Sequence, residues 1–493
     1  MRVFGSCDKK PVGGGIADRV FFSMALAVLL CSVTLALCFG PYPGDPEYFN
    51  YVGRSLLSGR RLYVDIWDCK GPVLYFVSAF GAFFHPVAGQ TVLFAVIFLA
   101  DLVLFYGLVR RSCGGRAGLC TFLFAVLALG VGQFMCIGRQ EMLACLIILL
   151  GLEFQGRAGF WGDVLAGACA GLVFFIKPNL ITFLSVPLIQ EGMTTIRMGK
   201  WGQLARRMFC LFVGLAAMLV AVSVCFLPDA VDDLWYGSLF WNITQRRQNG
   251  LGWFGFWSTA LSNRGFWMKQ GWIIPILGSL LVFGCARTLI LRKREWACWV
   301  VWAILETIAA FGFPGFYRHY VIVSCLPVAL LAVGEGQKAA TGKCGRYVLP
   351  VLAVAVAMLC ASVGFLNGRI STSQVRNREI AEMSRMIATR QGGVTLFGGN
   401  KVALVMNRLG RLSGQRFPCL KHWWRLSSGD FRKDIAEDFL MSLDSGGEWL
   451  ISEQPIERVM STLKDVRISA RLSEYRLAYR AVRNKVRLYR RCK

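Results

Sequence analysis

Charge is scarce in this sequence: 17% of its 493 residues are Asp, Glu, Lys or Arg. Acidic residues are the scarcer kind, 29 against 55 basic ones, and there are three histidines. So little charge, with 55% hydrophobic residues and a mean hydropathy of +0.50, argues against a soluble globular protein. No C-x-x-C pair occurs among the 18 cysteines, which weakens any zinc or redox reading. Most of these cysteines fall inside apolar runs, where they serve as small apolar residues. The net charge is +26, yet no basic patch with interleaved aromatics forms a nucleic-acid motif. No A-x-A site closes the first apolar run, so an uncleaved first span is expected rather than a leader. No repeat relates the two halves, as it does in many transporters.

What is present is a series of apolar stretches, at 20–39, 88–109, 117–136, 142–154, 164–189, 208–228, 271–291, 297–313, 320–334 and 347–366. A helix needs about 20 mainly apolar residues to cross a bilayer, and several of these runs are that long. The run 164–189 is interrupted by Lys177-Pro178-Asn179 and reads as two short helices. Lys9, Lys10 and Arg19 flank the first span and place the N-terminus in the cytoplasm. The segment 41–87 then forms a first outer loop. Its apolar part, 71–84, falls short of a span and is expected to lie as a helix in the outer interface. Alternation from there sends Arg110, Arg111, Arg206, Arg207 and Arg292 to Arg294 inside. It leaves Glu141, Lys177 and His319 outside. Counting 71–84 as a span would reverse Arg110 and Arg111.

From about Gly368 the long apolar runs stop. Strand patterns appear at 392–399, 448–455 and 486–491, with a helical pattern at 430–443. The expected architecture is a polytopic α-helical membrane protein of about 11 spans, residues 1–366, followed by a small extracytoplasmic α/β domain, residues 367–493.

The segment from Pro41 to Pro72 concentrates charge beside the first span: Asp45, Glu47, Asp65, Asp68 and Lys70 in a setting rich in Tyr, Gly and Pro. Ionisable groups close to the apolar phase are costly without a role. Asp45 and Glu47 suit a general base for an acceptor hydroxyl, or ligands for a divalent cation. Asp45-Pro46-Glu47 reads equally as an ordinary helix start, with proline in the first turn. Asp68 and Lys70 stand at the N-terminal end of the expected interfacial helix, where backbone N–H groups and a cation suit a phosphate. A surface ion pair is the plainer reading of those two residues. Lys177 is either a site residue or a lysine that snorkels to water. His85 reads as an interface residue, and His422, beside Trp423 and Trp424, as a domain-surface or membrane-interface residue. Asn242-Ile243-Thr244 matches a glycosylation pattern that arises often by chance. The aromatic-rich loop from Trp235 to Trp272 is expected to rest on the outer interface.

Three blocks of the first loop carry a family resemblance: Asp45-Pro-Glu-Tyr48, Gly53-Arg54-Ser-Leu-Leu-Ser-Gly59, and Leu62-Tyr63-Val-Asp65-Ile-Trp-Asp68-Cys-Lys70-Gly-Pro72. Together they resemble the first extracytoplasmic loop of GT-C fold glycosyltransferases that use polyprenyl-phosphate sugars. That group includes protein O-mannosyltransferases and lipid A aminoarabinose transferases. Phe175-Ile176-Lys177-Pro178-Asn179 is similar to the family's mid-chain K-P element, and Tyr317-Arg318-His319-Tyr320 to its late Y-x-H-Y loop. The chain departs from the family at Gly71, where many relatives carry proline, and in 138–141 it matches only through Glu141.

The resemblance implies that Asp45 activates the acceptor, that Asp68 is its acidic partner in catalysis, and that Lys70 lies near the lipid-linked phosphate. It implies substrate-binding roles for Glu47, Tyr48, Glu141, Lys177, Arg318, His319 and Tyr320. The implied partners are a polyprenyl-phosphate sugar donor, an envelope glycan, lipid or protein acceptor, and the bilayer, with no nucleic acid. No cofactor is required, and a divalent cation is left open at Asp45 and Glu47. The alternative class is a transporter or lipid flippase of envelope precursors, for which charges near the bilayer midplane would be expected.

Overall fold

The computed structural model describes residues 15–39, 44–113, 116–132, 137–157, 159–240, 273–290, 296–311, 318–333, 375–388, 392–418, 429–445, 447–482 and 485–492. The expected last span (347–366), Asn242-Ile243-Thr244, most of the loop from Trp235 to Trp272, and His422 with its two tryptophans lie outside those residues. The chain divides into two compact units. Unit 1 takes residues 1–34, 94–226 and 249–364, and unit 2 takes 35–93, 227–248 and 365–493.

In chain order the helices are α1 (Ile16–Phe39), α2 (Asp45–Leu57), α3 (Pro72–Phe84), α4 (Gly89–Cys113), α5 (Ala117–Gly132), α6 (Gln140–Gly156) and α7 (Phe160–Ile176). A 3-10 stretch, Pro178–Leu184, leads into α8 (Ser185–Met198) and α9 (Trp201–Val224). Next come α10 (Val231–Trp235), a π-helical turn (Tyr236–Phe240), α11 (Ile273–Ile290), α12 (Ala297–Phe311), a 3-10 turn (Arg318–Val321) and α13 (Cys325–Val333). The helix α14 covers 375–388. The tail continues as β1 (Gly393–Phe397), α15 (Asn400–Leu409), α16 (Gly429–Asp444), β2 (Gly447–Ser452), α17 (Ile456–Leu463), α18 (Val466–Leu472), β3 (Tyr475–Ala481) and β4 (Val486–Arg491).

Three helices among the described residues are long and apolar enough to cross a membrane: Ile16–Phe39, Gly89–Arg111 and Trp201–Val224. Five shorter apolar helices accompany them, 72–84 among them. In unit 1 α7 and α9 pack with their backbones close together, and the sequence explains how. A Cβ on Gly167 would strike the Leu211 carbonyl, and one on Gly214 would strike the Val164 carbonyl. Small residues of this kind let helix backbones meet inside a bilayer. The foot of α1 is tied down by Asp18, which accepts from Tyr106 Oη at 2.7 Å and from the Gly118 amide at 2.5 Å. The expected break at 177–179 is present. Lys177 is extended (φ −162°, ψ 104°) because Pro178 disfavours the helical region for the residue before it.

In unit 2 the short helix expected at 71–84 is α3, 13 residues long. One face is buried, through Leu74, Tyr75, Ser78, Ala79 and Ala82. The opposite face presents Phe76, Phe80, Phe83 and Phe84, between 54% and 71% exposed. Spaced at i, i+4, i+7 and i+8, these four rings form one apolar stripe. The buried side of α3 lies against α2, where Gly53 sits so close that a Cβ would be 2.6 Å from the Ala79 amide nitrogen. The tail forms a four-stranded sheet in the order β1-β2-β4-β3, with β1 and β2 parallel and the other pairs antiparallel. The expected strands at 392–399, 448–455 and 486–491 are β1, β2 and β4, and the helix at 430–443 is α16. The strand β3 and the helices α15, α17 and α18 lacked a sequence signal strong enough to name them.

Candidate active site

In unit 2 the site grows from the start of α2. Gly44 is its N-cap residue and supplies no side-chain cap, and Pro46 occupies the first turn. The helix start read from Asp45-Pro46-Glu47 is therefore real. Asp45 Oδ1 accepts from Asn400 Nδ2 at 2.8 Å, so this carboxylate is held by the first residue of α15. Glu47 lies two residues on, and residues two apart on a helix do not face the same way. It is 4% exposed, and its Oε2 accepts from Asn407 Nδ2 at 2.9 Å. Burial pushes its pKa up to about 7, against the opposing pull of Asn407, Arg408 and Arg54. Asp45 and Glu47 thus go to separate partners on α15. Arg54, in the last turn of α2, donates to Asn407 Oδ1 at 3.3 Å and completes this seam.

The loop between α2 and α3 is pinned at several points. Arg60 donates to the Ser413 carbonyl at 2.8 Å and the Gln415 carbonyl at 2.6 Å. The Trp67 amide donates to the Arg416 carbonyl at 2.8 Å. Arg416 in turn donates to the Tyr63 carbonyl at 2.9 Å and pairs with Asp233 at 3.1 Å. Tyr63 adopts a φ of 69°, in the left-handed region that non-glycine residues rarely occupy. From there its hydroxyl donates to the Lys70 carbonyl at 2.6 Å, closing the loop over its own end. Tyr48 Oη donates to the Trp67 carbonyl at 3.3 Å.

This frame fixes Asp68 and Lys70 just before α3. Asp68 is 2% exposed, and its Oδ2 has no hydrogen-bond partner among the described residues. Burial raises its pKa to about 6; Lys70 and the Cys69 hydrogen bonds pull it down, while the charge of Asp45 pushes it further up. Asp68 therefore feels the charges of both Asp45 and Lys70. The Lys70 ammonium lies 5.9 Å from the centre of the Phe49 ring. One buried carboxylate titrating near neutrality, beside a second carboxylate and an ammonium, can move a proton and hold an anion.

Unit 1 holds the remaining candidates. Glu141, in the first turn of α6, is fully buried and takes Lys177 Nζ at 3.1 Å and Gln140 Nε2 at 3.2 Å on its Oε1. The same ammonium lies over the Tyr320 ring, 3.3 Å from its centre. His319, 7% exposed, stands edge-on to Tyr320 at 4.9 Å. Arg318 opens the 3-10 turn, and its side chain lies outside the described residues, as do 312–317. Glu141, Lys177, His319 and Tyr320 thus form one cluster, and Asp45, Asp68 and Lys70 another.

Several contributing residues escaped the sequence reading. Asn400 and Asn407 are polar residues of a short tail helix, and the only signal for Asn400 is its place after Gly398-Gly399 at a strand end. Asp101 in α4 and Glu306 in α12 are fully buried in apolar helices. Thr182 donates to Glu306, while both Asp101 carboxylate oxygens lack a hydrogen-bond partner among the described residues. These two did carry a signal, since a carboxylate inside an apolar run is costly. No group of three or more His, Cys, Asp or Glu side chains that could hold a metal gathers among the described residues.

No family model matches the chain, and no curated protein does. Solved structures do match. A crystal structure of ArnT from Cupriavidus metallidurans bound to undecaprenyl phosphate superimposes with a TM-score of 0.57, over 96% of this chain and 97% of that one, at 14% identity. The chain has the ArnT fold. The apo structure of ArnT from the same organism matches over the same shares with a TM-score of 0.55. The match to ArnT covers nearly the whole chain, and it bears out the GT-C-like fold that the first-loop resemblance implied. At 14% identity the ArnT match speaks for fold, and the chemistry rests on this chain's own residues.

Proposed function

We propose that this protein is an integral membrane glycosyltransferase that moves a sugar from a polyprenyl-phosphate carrier to an acceptor on the outer face of the membrane. The observation that carries the reading is the cluster at the two ends of the first loop: Asp45 at the start of α2, with Asp68 and Lys70 at the start of α3. The ArnT fold supports it, because the matched ArnT structure is bound to undecaprenyl phosphate. The stripe of Phe76, Phe80, Phe83 and Phe84 supports an interfacial place for α3, which keeps Lys70 at headgroup depth.

On this reading the acceptor hydroxyl oxygen attacks the anomeric carbon and the bond from that carbon to the phosphate oxygen breaks. The hydroxyl proton passes to Asp45, and the polyprenyl phosphate leaves with the bonding pair. Lys70 stabilises the charge that develops on the leaving phosphate. Asp68, buried beside it, sets the position of the ammonium and takes part in proton transfer. Glu47 and Tyr48 complete the substrate-binding set of the loop. Glu141, Lys177, Arg318, His319 and Tyr320 bind substrate in unit 1. The cations that stabilise the phosphate are side chains, so transfer is expected to persist in the presence of EDTA.

The decisive experiment uses the purified chain in proteoliposomes with a labelled polyprenyl-phosphate sugar and membrane acceptors. Asp45→Asn and Lys70→Ala are compared with the unmodified protein. Transfer unchanged in both well-folded variants would overturn the assignment of this site.

A further inference from the structure

Asp45 and Glu47 open the same helix, and each accepts from an asparagine of α15, yet the two carboxylates are placed differently. Glu47 is buried. Asp45 and Asn400 are both half-buried, so this carboxylate stays within reach of an incoming hydroxyl while Asn400 Nδ2 donates to its Oδ1 at 2.8 Å.

The sheet of the tail sets where Asn400 stands. β1 ends at Phe397, and Gly398-Gly399 turns the chain into α15. The Gly399 amide donates to Glu453 Oε1 at 2.8 Å, and the Glu453 amide donates to the Phe397 carbonyl at 3.0 Å. A Cβ on Gly398 would collide with Val402 and crowd the Glu453 side chain. At the far end of α15, Asn407 Nδ2 donates to the Glu47 carbonyl at 2.8 Å and to Glu47 Oε2 at 2.9 Å. The helix is thus fastened to α2 near both of its ends, and Asn400 is carried on regular elements that fix its position. An amide donor favours the ionised form of the carboxylate that it meets, and it limits how that carboxylate can turn.

We propose that Asn400 is a positioning residue for sugar transfer: it orients the Asp45 carboxylate and keeps it ionised as the acceptor's base, so that the tail supplies part of the active site. The inference rests on the transferase reading with Asp45 as its base. Asn400 acts through Asp45 and not on the substrate. Other charges surround this carboxylate. Asp68, which feels the charge of Asp45, and Lys70 stand on the loop. Glu47 and Arg54 share α2, Lys401 and Arg408 stand on α15, and Glu453 follows β2. Substitutions at Asn400 leave all of these in place, so a change in the titration of Asp45 reports Asn400 itself.

The test follows kcat against pH for the full chain in proteoliposomes with a labelled polyprenyl-phosphate sugar and membrane acceptors. The acid limb of that profile reports the base. Asn400→Ala should lower kcat at neutral pH at least about tenfold, through lost orientation, and move the acid limb up by about one pH unit. Asn400→Asp keeps the shape and suits the first turn of a helix, but it sets a second carboxylate against the first. Two carboxylates sharing a site resist double ionisation, so the limb should move further, by about two units. Asn407→Ala loosens the same seam at its Glu47 end; it should lower the melting temperature and leave the acid limb in place. A limb unmoved in both Asn400 variants, or moved equally by Asn407→Ala, overturns the inference and makes Asn400 a plain docking contact. Infrared titration in nanodiscs gives a readout that needs no turnover. The carboxylate band absent from Asp45→Asn belongs to Asp45, and its midpoint should rise from the unmodified protein to Asn400→Ala and again to Asn400→Asp. If Asp45→Asn transfers sugar at the unmodified rate, the transferase site fails. If Asp45→Asn is inactive and the infrared midpoint does not move, the inference about Asn400 fails alone.

Discussion

Lys70 and Asp68 lie two residues apart on one loop, whereas Lys177 and Glu141 meet from 36 residues apart, one in the extended break after α7 and the other in the first turn of α6. The second pair is in direct contact at 3.1 Å, deep in unit 1, with the ammonium seated on Tyr320. Its partners are enclosed: the side chain of Glu141 is 0% exposed and that of Lys177 12%. The first pair is built differently. Lys70 offsets only part of the burial of Asp68, whose pKa still rises to about 6, and one Asp68 oxygen is left without a hydrogen-bond partner among the described residues. One lysine is committed to a carboxylate that architecture brings to it. The other sits on a loop whose carboxylate is poised to change protonation near neutral pH. Chemistry is therefore expected to concentrate in unit 2, and the Lys177–Glu141 pair to matter first for the integrity of unit 1.

The sharpest way to break that contrast is at Asp45. Asp45→Asn keeps the shape and the contact with Asn400 but removes the base, so kcat for sugar transfer should fall by about 100-fold or more. Initial rates in proteoliposomes check this, with an unchanged melting temperature as the control for folding. A loss below about tenfold would return Asp45 to the plain role of a helix-start residue.

The next effect in size is on folding. Lys177→Met leaves Glu141 buried and uncompensated, a defect that costs about 3–5 kcal/mol. Lys177→Met/Glu141→Gln removes both charges and should recover most of the lost stability. Melting temperatures of the two variants and of Glu141→Gln complete the cycle. If the double variant is as unstable as Lys177→Met alone, the pair is not the unit that stabilises this region.

At Lys70 the expected change is smaller and falls on substrate use. Lys70→Ala removes a charge-assisted contact to phosphate, worth roughly 1.5–3 kcal/mol, and should lower kcat/KM for the lipid-linked donor by at least about tenfold. Lys70→Arg keeps the charge and should recover part of the loss. Equal damage from Lys70→Arg and Lys70→Ala would show that the lysine acts through the shape of the loop rather than through its charge.

The same two pairs show what a sequence can reveal and what it cannot. Asp68 and Lys70 were legible together because a tight loop keeps close in space what is close in sequence. Lys177 was legible as a charge that interrupts one apolar run and Glu141 as a charge just before another, but no local pattern joins them. That pairing depends on how α6 and α7 pack. The break after Ile176 and the short α3 were readable from Pro178 and from the length of the apolar run. The holders of Asp45 and Glu47 were not. Asn400 and Asn407 reach them across about 355 residues, and nothing in a short amphipathic helix announces such a partner. The tail helices α17 and α18, 8 and 7 residues long, were too short for periodicity to declare.

The mildest expected change sharpens the picture of that seam and is read in stability alone. Glu47 folds with its pKa raised to about 7 from an ordinary 4.5, chiefly by burial. The folded state thus holds the proton more tightly than the unfolded chain. This contribution favours folding at acid pH; it declines as pH rises from about 4.5 through 7, and above that range it is lost. Glu47→Gln mimics the protonated form and still accepts the hydrogen bond from Asn407. The variant should match the unmodified protein near pH 4.5 and melt a few degrees higher above pH 7, with the gap opening between those values. Melting curves across that range decide it. A gap that is constant with pH would mean that Glu47 is already neutral or already compensated in the fold, and that the contacts with Asn407 and Arg54 carry no titrating charge.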